Sequence, residues 1–348
     1  MKAILVSKPG GAENLIIRTV PLPTVMSDQV LIEVKAFGIN HAEIYMREGN
    51  WPEIANIIGI ECVGIVQQDP SGKFKPGQKV ATLMGGMGRS INGSYAQLTC
   101  VRLTNVVALE SELDWPTLAS IPESFASAWG ALFPVLKIEA GESLLIRGAT
   151  SAFGQAACIL AKQKGLTVIA TTRSEEKKKL LYNLGANHVI IDRGKISQEV
   201  RKIISFGVDK VLELVGSTTL RDTISSTART GTVCMAGFLG GRTQMDKLQP
   251  QLEWILKKKG NNFGLHIPGL PKIAFFASSA IGTTKFPISK IPFQQFVDDT
   301  EQKKIPSILS HVFRFDEISR AHQHMEQDGS MGKIVVLGPG FDDQNMIN

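Results

Sequence analysis

Cysteine is scarce in this chain: Cys62, Cys100, Cys158 and Cys234 stand 38 or more residues apart, and no CxxC pair occurs. That spacing excludes a zinc ribbon and a dithiol redox pair, and points to buried, reduced thiols. Long apolar runs are missing too, since no uninterrupted segment approaches the ~18 residues a membrane-spanning helix needs. The opening MKAILVSKPG has one lysine and five apolar residues before Ser7 and Pro9. It is too short for a secretory signal and reads as a first strand, so a cytoplasmic location is expected. A one-sided charge is also lacking. The net charge of +6 and pI near 9.1 allow an anionic partner, but the basic residues are scattered. The triplets Lys177 to Lys179 and Lys257 to Lys259 read as solvated helix faces, and no aromatic-interleaved basic tract marks a nucleic-acid groove.

What is present is an ordinary globular composition, 43% hydrophobic and 20% charged, over 348 residues. That length exceeds the size at which a single core stops growing, and about two domains are expected. To about Ile121 the pattern is short strands and turns. In VLIEVKAFGIN, Val30, Ile32, Val34 and Ala36 alternate with residues that include Glu33 and Lys35, and GIECVGIV and QKVATLM repeat the strand signal around the turn cluster DPSGKFKPG. From Ser143 to about Phe276 strand-length apolar runs alternate with helical stretches: SLLIRG, GQAACILAKQKG, TVIATTR, EEKKKLLYNLG, HVIID, SQEVRKIISFG, DKVLELVG, RDTISSTAR and TVCMAGF. Repeated β-α-β units imply an α/β fold, a Rossmann-like doubly wound parallel sheet beside a mostly-β domain. The last segments, SKIPFQQFVDDTEQKK, FRFDEISRAHQHMEQ and GKIVVLG, return to complete the β-rich part, and the tail FDDQNMIN reads as unstructured. The expected division is 1–123 with 286–348 for one domain and 124–285 for the other.

The stretch RGATSAFGQA lies between a strand and a helix. In a Rossmann domain that turn faces a pyrophosphate, which its small residues and the free N–H groups of the helix N-terminus receive. With Gly154 as the final motif glycine, Ala149 and Ser151 fall where GxGxxG has its first two glycines, so the strict fingerprint fails. Two readings stand: a dinucleotide turn over Ala149, Thr150, Ser151, Ala152, Phe153 and Gly154, or a turn that only packs a helix on a strand. Strand context before it and helix context after it favour the dinucleotide. About 20 residues further on, where NAD-selective proteins offer Asp or Glu to the ribose, the chain has Thr172, Arg173 and Ser174, with Lys177 one turn later. A guanidinium and two hydroxyls suit a 2'-phosphate, and NADPH is the expected cofactor. Glu175 and Glu176 temper this, although carboxylates at a helix start are common dipole partners.

MKAILVSKPGG, GINHAEIYMREGNWP, the KPGQKV turn, PESFASAWGALF, RGATSAFGQAA and GKIVVLGP together resemble the zinc-independent medium-chain dehydrogenases/reductases, in their quinone oxidoreductase branch, over nearly the whole chain. The resemblance implies a GroES-like catalytic domain built from both chain ends, an inserted NADPH-binding Rossmann domain, and an active site in the cleft between. The family turn is AxxGxxG, from which Gly148 and Ser151 depart. Metal-dependent relatives read GxCHxD and GHExxG where this chain has Gly38, Ile39, Asn40 and Gly59, Ile60, Glu61, and the four-cysteine lobe is absent from LMGGMGRSINGSYAQ. No metal is expected. His322 and His324, at i and i+2 of a helix, are expected at the surface.

The resemblance points to Asn40 and Tyr45 as residues lining the cleft near the nicotinamide. Tyr45 would hydrogen-bond a carbonyl oxygen as hydride arrives, or stack as a rim aromatic; Asn40 would orient substrate, or cap a turn. Ser127 falls where the family has a Thr or Ser beside the nicotinamide, or is an ordinary helix serine. Val215, Gly216, Gly237 and Phe238 follow strands on the cofactor side, and Lys333 would approach from the last strand. MGGMGRSINGS and LQPQLEWILKKKGNNFGLHIPG are expected as loops over the cleft. Related proteins dimerise through Rossmann sheet edges, which makes IAFFASSAI the expected edge of a homodimer. The activity implied is NADPH-dependent reduction of a quinone or an α,β-unsaturated carbonyl, with water exclusion and alignment as the protein's part. Two rivals are a trans-2-enoyl thioester reductase and a non-enzymatic NADPH- or RNA-binding protein of the crystallin type.

Overall fold

The computed structural model describes residues 1–51, 53–237, 239, 271–328 and 331–340. Phe238, the expected loop LQPQLEWILKKKGNNFGLHIPG, the triplet Lys257 to Lys259 and the tail FDDQNMIN lie outside the described residues. The chain divides into two compact units, Met1–Ala126 with Ser279–Asn348, and Ser127–Ser278.

The first unit begins with β1 (Lys2–Val6) and β2 (Leu15–Thr19), which pair with each other. There follow β3 (Gln29–Gly38), α1 (His41–Arg47), β4 (Glu61–Gln68), β5 (Lys79–Leu83), β6 (Leu98–Arg102), β7 (Val106–Ala108), α2 (Trp115–Ala119) and α3 (Pro122–Gly130). The expected alternation in β3 holds: Val30, Ile32, Val34 and Ala36 are buried, and Leu31, Glu33 and Lys35 between them are half-buried. A period of two with one face in the core is what pins strand register. The turn after β4 is built on Asp69, whose carboxylate accepts from the Ser71 and Phe74 N–H groups at 2.8 and 2.7 Å.

The second unit alternates strand and helix: β8 (Ser143–Arg147), α4 (Ala152–Lys164), β9 (Thr167–Thr172), α5 (Lys178–Asn183), β10 (His188–Ile191), α6 (Ser197–Ile203), β11 (Val208–Glu213), α7 (Ser217–Ser226), β12 (Thr227–Met235) and β13 (Lys272–Phe275). Among the described residues these strands form one parallel sheet in the order β10-β9-β8-β11-β12-β13. Taken from β8, that is the 3-2-1-4-5-6 order of a doubly wound dinucleotide fold, with its reversal point beside β8. Leu145, Ile169, Val211 and Val233, one from each of four strands, pack with Val200 of α6 and Leu220 of α7. The helix expected through Arg229 stops at Ser226, and Thr227 to Arg229 join β12 instead. Thr227 is β-branched and fits a strand better than a helix interior. The expected edge segment IAFFASSAI supplies β13 at the outer position of the described sheet.

The chain then returns to the first unit with α8 (Phe293–Glu301), β14 (Leu309–Phe313), α9 (Ile318–Asp328) and β15 (Lys333–Leu337). The larger sheet there runs β14-β15-β3-β4-β5-β7, with β6 also paired to β3. Antiparallel pairing sets Val335 of β15 opposite Gly38, and Ile39 N–H donates to the Ile334 carbonyl at 3.0 Å. The two ends of the chain thereby bring Lys333 beside Gly38 and Asn40.

Candidate active site

In the first unit the candidate residues gather on the short helix α1. Glu43, at its third position, accepts the backbone N–H of Asn40 at 2.9 Å and that of Ile60 at 3.0 Å, which fixes the start of the helix. The Asn40 side chain is fully engaged. Its Oδ1 accepts from Lys333 Nζ at 2.6 Å and its Nδ2 donates to Glu61 Oε1 at 3.0 Å. Lys333 Nζ also lies 2.5 Å from Glu61 Oε1 and 3.8 Å from Glu123 Oε2, and Glu61 Oε2 accepts the Glu123 N–H at 2.8 Å. Gly38 makes room for this chamber: a Cβ there would stand 2.2 Å from Lys333 Cε and 2.5 Å from Glu61 Oε1.

Lys333, expected to approach the cofactor, is 1% exposed with its ammonium turned onto Glu61 and Asn40. Two close oxygen partners offset the desolvation that a buried ammonium suffers. Burial works against the Lys333 charge, but Glu61, Glu123 and Glu43 together outweigh it and hold the group above the usual lysine range. Burial pushes Glu43 the other way, up to about 7, against the opposing pull of the Ile60 N–H and Lys333. Asn40 thus acts as a connector between helix and ion cluster. Tyr45, one turn further along α1, is half-buried with its ring 6.4 Å from that of His41.

One expectation for this unit is corrected. His322 is fully buried rather than at the surface, because Ile318, Ala321, His322 and Met325 form the inward stripe of α9. Its Nε2 lies 2.9 Å from Tyr95 Oη, and burial, seconded by Arg47, lowers it to about 3. The glycine-rich loop MGGMGRSINGS is stitched to the segment before β4. Gly88 O accepts from Ala55 N–H, Gly93 N–H donates to Ile57 O and Ser94 N–H to Gly59 O, and Met87 is 1% exposed.

In the second unit the turn after β8 is compact. Gly148 has φ +88°, where an alanine would be strained, and a Cβ on Gly154 would stand 2.6 Å from Ala149 Cα and Gly148 O. Gly154 thereby performs the close helix-to-strand packing of a last motif glycine. Ser151 caps α4: its Oγ accepts from Gly154 N–H at 3.1 Å and donates to Gly148 O at 3.0 Å, so the hydroxyl serves the turn itself. Ala149 is buried, the Thr150 carbonyl accepts from Gln155 Nε2, and Phe153 packs edge-on against Phe276. Among the described residues the N–H groups of Ala152 and Phe153 have no hydrogen-bond partner in the chain. Two orphan donors at the start of a 13-residue helix fit a phosphate oxygen.

At the end of β9, Thr172 Oγ1 accepts from Ser174 N–H at 3.2 Å, and Arg173 is exposed and makes no hydrogen bond or ion pair among the described residues. Lys177 follows, half-exposed, in the turn before α5. Ser127 is fully buried in α3. The Val215 and Gly216 N–H groups both donate to Glu213 Oε1, at 2.8 and 3.0 Å. Gly237 lies against the backbone of Leu214: a Cβ would meet Leu214 O at 2.7 Å.

Sequence reading did not single out Arg147, a buried cation of this unit. Arg147, the last residue of β8, grips both oxygens of Asp192 (Nε–Oδ2 2.7 Å, Nη2–Oδ1 3.0 Å) and reaches Asp222 Oδ2 at 3.0 Å, Thr223 Oγ1 at 2.9 Å and the Thr219 and Gly194 carbonyls. Burial and these bonds act in opposition on Asp192, and the Arg147 bonds with the Gly194 N–H and Arg173 hold it below the usual carboxylate range. Among the described residues no cluster of three or more His, Cys, Asp or Glu is arranged to hold a metal ion, and no helix is long and apolar enough to cross a membrane.

Comparison with known proteins agrees with this architecture. Residues 26–111 match the family described as alcohol dehydrogenase GroES-like domain, and residues 152–267 the one described as zinc-binding dehydrogenase. Quinone oxidoreductase of Sus scrofa is 30% identical and that of Homo sapiens 27%, each over 97% of this chain and 98% of the relative. The solved structure of AibC superposes with a TM-score of 0.80 at 26% identity, over 97% of this chain and 96% of its own. A GroES-like unit completed by the C-terminal strands, a doubly wound parallel sheet and similarity along the full length have one explanation: the chain is an oxidoreductase that belongs to the medium-chain dehydrogenase/reductase family, and is quinone oxidoreductase-like within it.

Proposed function

We propose that the chain is an NADPH-dependent reductase of electron-poor conjugated carbonyls, a quinone or an α,β-unsaturated ketone or aldehyde, and that it works without a metal. The observation that carries the cofactor half is the presence of two N–H groups on α4 and a guanidinium at Arg173 that have no hydrogen-bond partner among the described residues, the latter at the position where NAD-selective folds present a carboxylate. Ala152 and Phe153 N–H would receive the pyrophosphate, and Arg173, with the hydroxyl of Ser174 and the ammonium of Lys177, the 2'-phosphate. The dihydronicotinamide, when bound, supplies the hydride. The quinone half is supported by the names of the relatives.

The remaining roles belong to the chain's own residues. Tyr45 is the group proposed to donate a hydrogen bond to the substrate carbonyl oxygen as negative charge develops on it. Asn40, Glu61 and Lys333 hold the start of α1, and so act as positioning residues for Tyr45. Where metal-dependent relatives carry cysteine and histidine ligands, Asn40 and Ile60 are part of this helix-start framework instead.

Calorimetric titration tests the cofactor half. NADPH is expected to bind about tenfold or more tighter than NADH, and Arg173→Gln to remove most of that difference. Equal affinities in the unmodified protein would sink it. Steady-state rates with quinones, short enals and enoyl thioesters test the substrate half, and a thioester preference of orders of magnitude would replace it.

A further inference from the structure

The second unit contains a buried guanidinium that the proposed chemistry does not use. The parallel register sets Ile191 opposite Thr172, and Asp192 N–H donates to Thr172 O at 2.7 Å, so Asp192 and Arg173 emerge side by side from neighbouring strands. They leave on the same face of the sheet, two residues beyond Ile190 and Thr171, which are themselves paired. A carboxylate beside an exposed guanidinium would ordinarily pair with it and repel an incoming phosphate dianion. Here both Asp192 oxygens are held by Arg147, Oδ1 also accepts the Gly194 N–H at 2.8 Å, and Arg147 is locked by Asp222, Thr223 and two carbonyls. All the guanidinium donors are spent on fixed partners, as only a planar fork permits.

We propose that Arg147 is a positioning residue for cofactor specificity: by gripping Asp192 with two parallel hydrogen bonds, it keeps that carboxylate off Arg173 and leaves the Arg173 charge for the 2'-phosphate. This rests on the NADPH reading above and adds to it the device that makes Arg173 available.

Arg147→Lys keeps the buried charge, but a single ammonium has no fork to hold both Asp192 oxygens. The dissociation constants of NADPH and NADH, measured by calorimetry on the full-length protein, are the readout. In Arg147→Lys the NADPH constant is expected to rise about fivefold while that of NADH stays within about twofold, and adding Asp192→Asn is expected to bring NADPH back to within about twofold of the unmodified protein. Equal weakening of both cofactors, an unchanged ratio, or failure of Asp192→Asn to restore it would overturn the proposal. Should Arg147→Lys not fold, Asp192→Asn alone decides. It is expected to leave the ratio within about twofold, because both Asp192 oxygens are already bonded to Arg147 and act on Arg173 only through space, and a tenfold rise would show that Asp192 competes for Arg173 in the unmodified protein. Arg173→Gln separates the two levels: if it leaves the NADPH preference intact, the 2'-phosphate reading itself fails, whatever Arg147 does.

Discussion

Lys333 and Arg147 are two buried cations at ends of strands, one in each unit, and they solve the same electrostatic problem differently. Lys333 is a point charge in a sealed chamber, where both it and Glu61 are 1% exposed. Arg147 is a fork whose carboxylate partners, Asp192 and Asp222, keep 9% and 14% of their side-chain surface in contact with solvent. The sealed chamber also encloses Glu43 and abuts Glu123, so carboxylates outnumber the cation, and Glu43 is pushed up to about 7. In the fork, direct hydrogen bonds satisfy the acceptors, and Asp192 is held down. Enclosure without enough donors turns a carboxyl into a proton acceptor near neutrality, whereas enclosure with a five-donor fork keeps it ionised.

The sharpest way to break the comparison is to remove the sealed cation. Lys333→Met leaves Glu61 buried without its partner, and a loss of about 3–5 kcal/mol is expected in denaturant melts. Lys333→Met with Glu61→Gln is expected to recover the larger part, since the stranded charge, rather than lost packing, is what destabilises. A loss under about 1 kcal/mol for Lys333→Met would mean that water reaches the chamber, and the contrast with Arg147 would vanish.

A smaller effect separates the two clusters by pH. Glu43 titrates near 7 in the folded chain and near 4.5 when unfolded, so the folded form retains a proton that the unfolded form has released. Its stabilising contribution is full below about pH 4.5 and is lost as pH rises through 7, amounting to about 3 kcal/mol. His322 acts oppositely: lowered to about 3 from 6.5, it contributes above pH 6.5 and loses that contribution as pH falls. Glu43→Gln is expected to flatten the decline between pH 5 and 8 and leave the acid limb in place. Identical pH profiles for the two proteins would refute the assignment of that decline to Glu43.

Both clusters were half legible in the sequence. A lone charge inside or at the end of an apolar run signals burial: Glu61 in GIECVGIV, Arg147 after SLLI, Glu213 in KVLELVG, Lys333 before IVVL. What the run does not carry is the partner, because Lys333 and Glu61 meet only through the pairing of β15 and β4 on either side of β3. The sheet textures were readable because periods of two and of strand-then-helix are local, as Val30 to Ala36 demonstrate. His322 was misjudged from its spacing to His324, although the stripe Ile318, Ala321, Met325 already placed it inward. The turn at Gly148 was legible as a strand-to-helix junction, but the bonds of the Ser151 hydroxyl to its own backbone were not, because they depend on how the turn closes.

That last point yields the smallest effect and the finest test, because the turn holds its shape with one neutral hydroxyl where the two clusters use ions. Ser151→Ala removes the acceptor of the Gly154 N–H and a donor to the Gly148 carbonyl, and about 1 kcal/mol of stability is expected to go with them. NADPH affinity is expected to change by less than about threefold, since the donors proposed for the phosphate are the Ala152 and Phe153 N–H groups, which the substitution leaves in place. If affinity instead fell more than about thirtyfold with stability nearly unchanged, the hydroxyl would be a phosphate ligand that turns outward on binding. The second unit would then depend on a side chain at both ends of its cofactor, the backbone cradle at one end and the guanidinium at the other would no longer divide the work, and the placing of specificity in Arg173 and its neighbours alone would have to be given up.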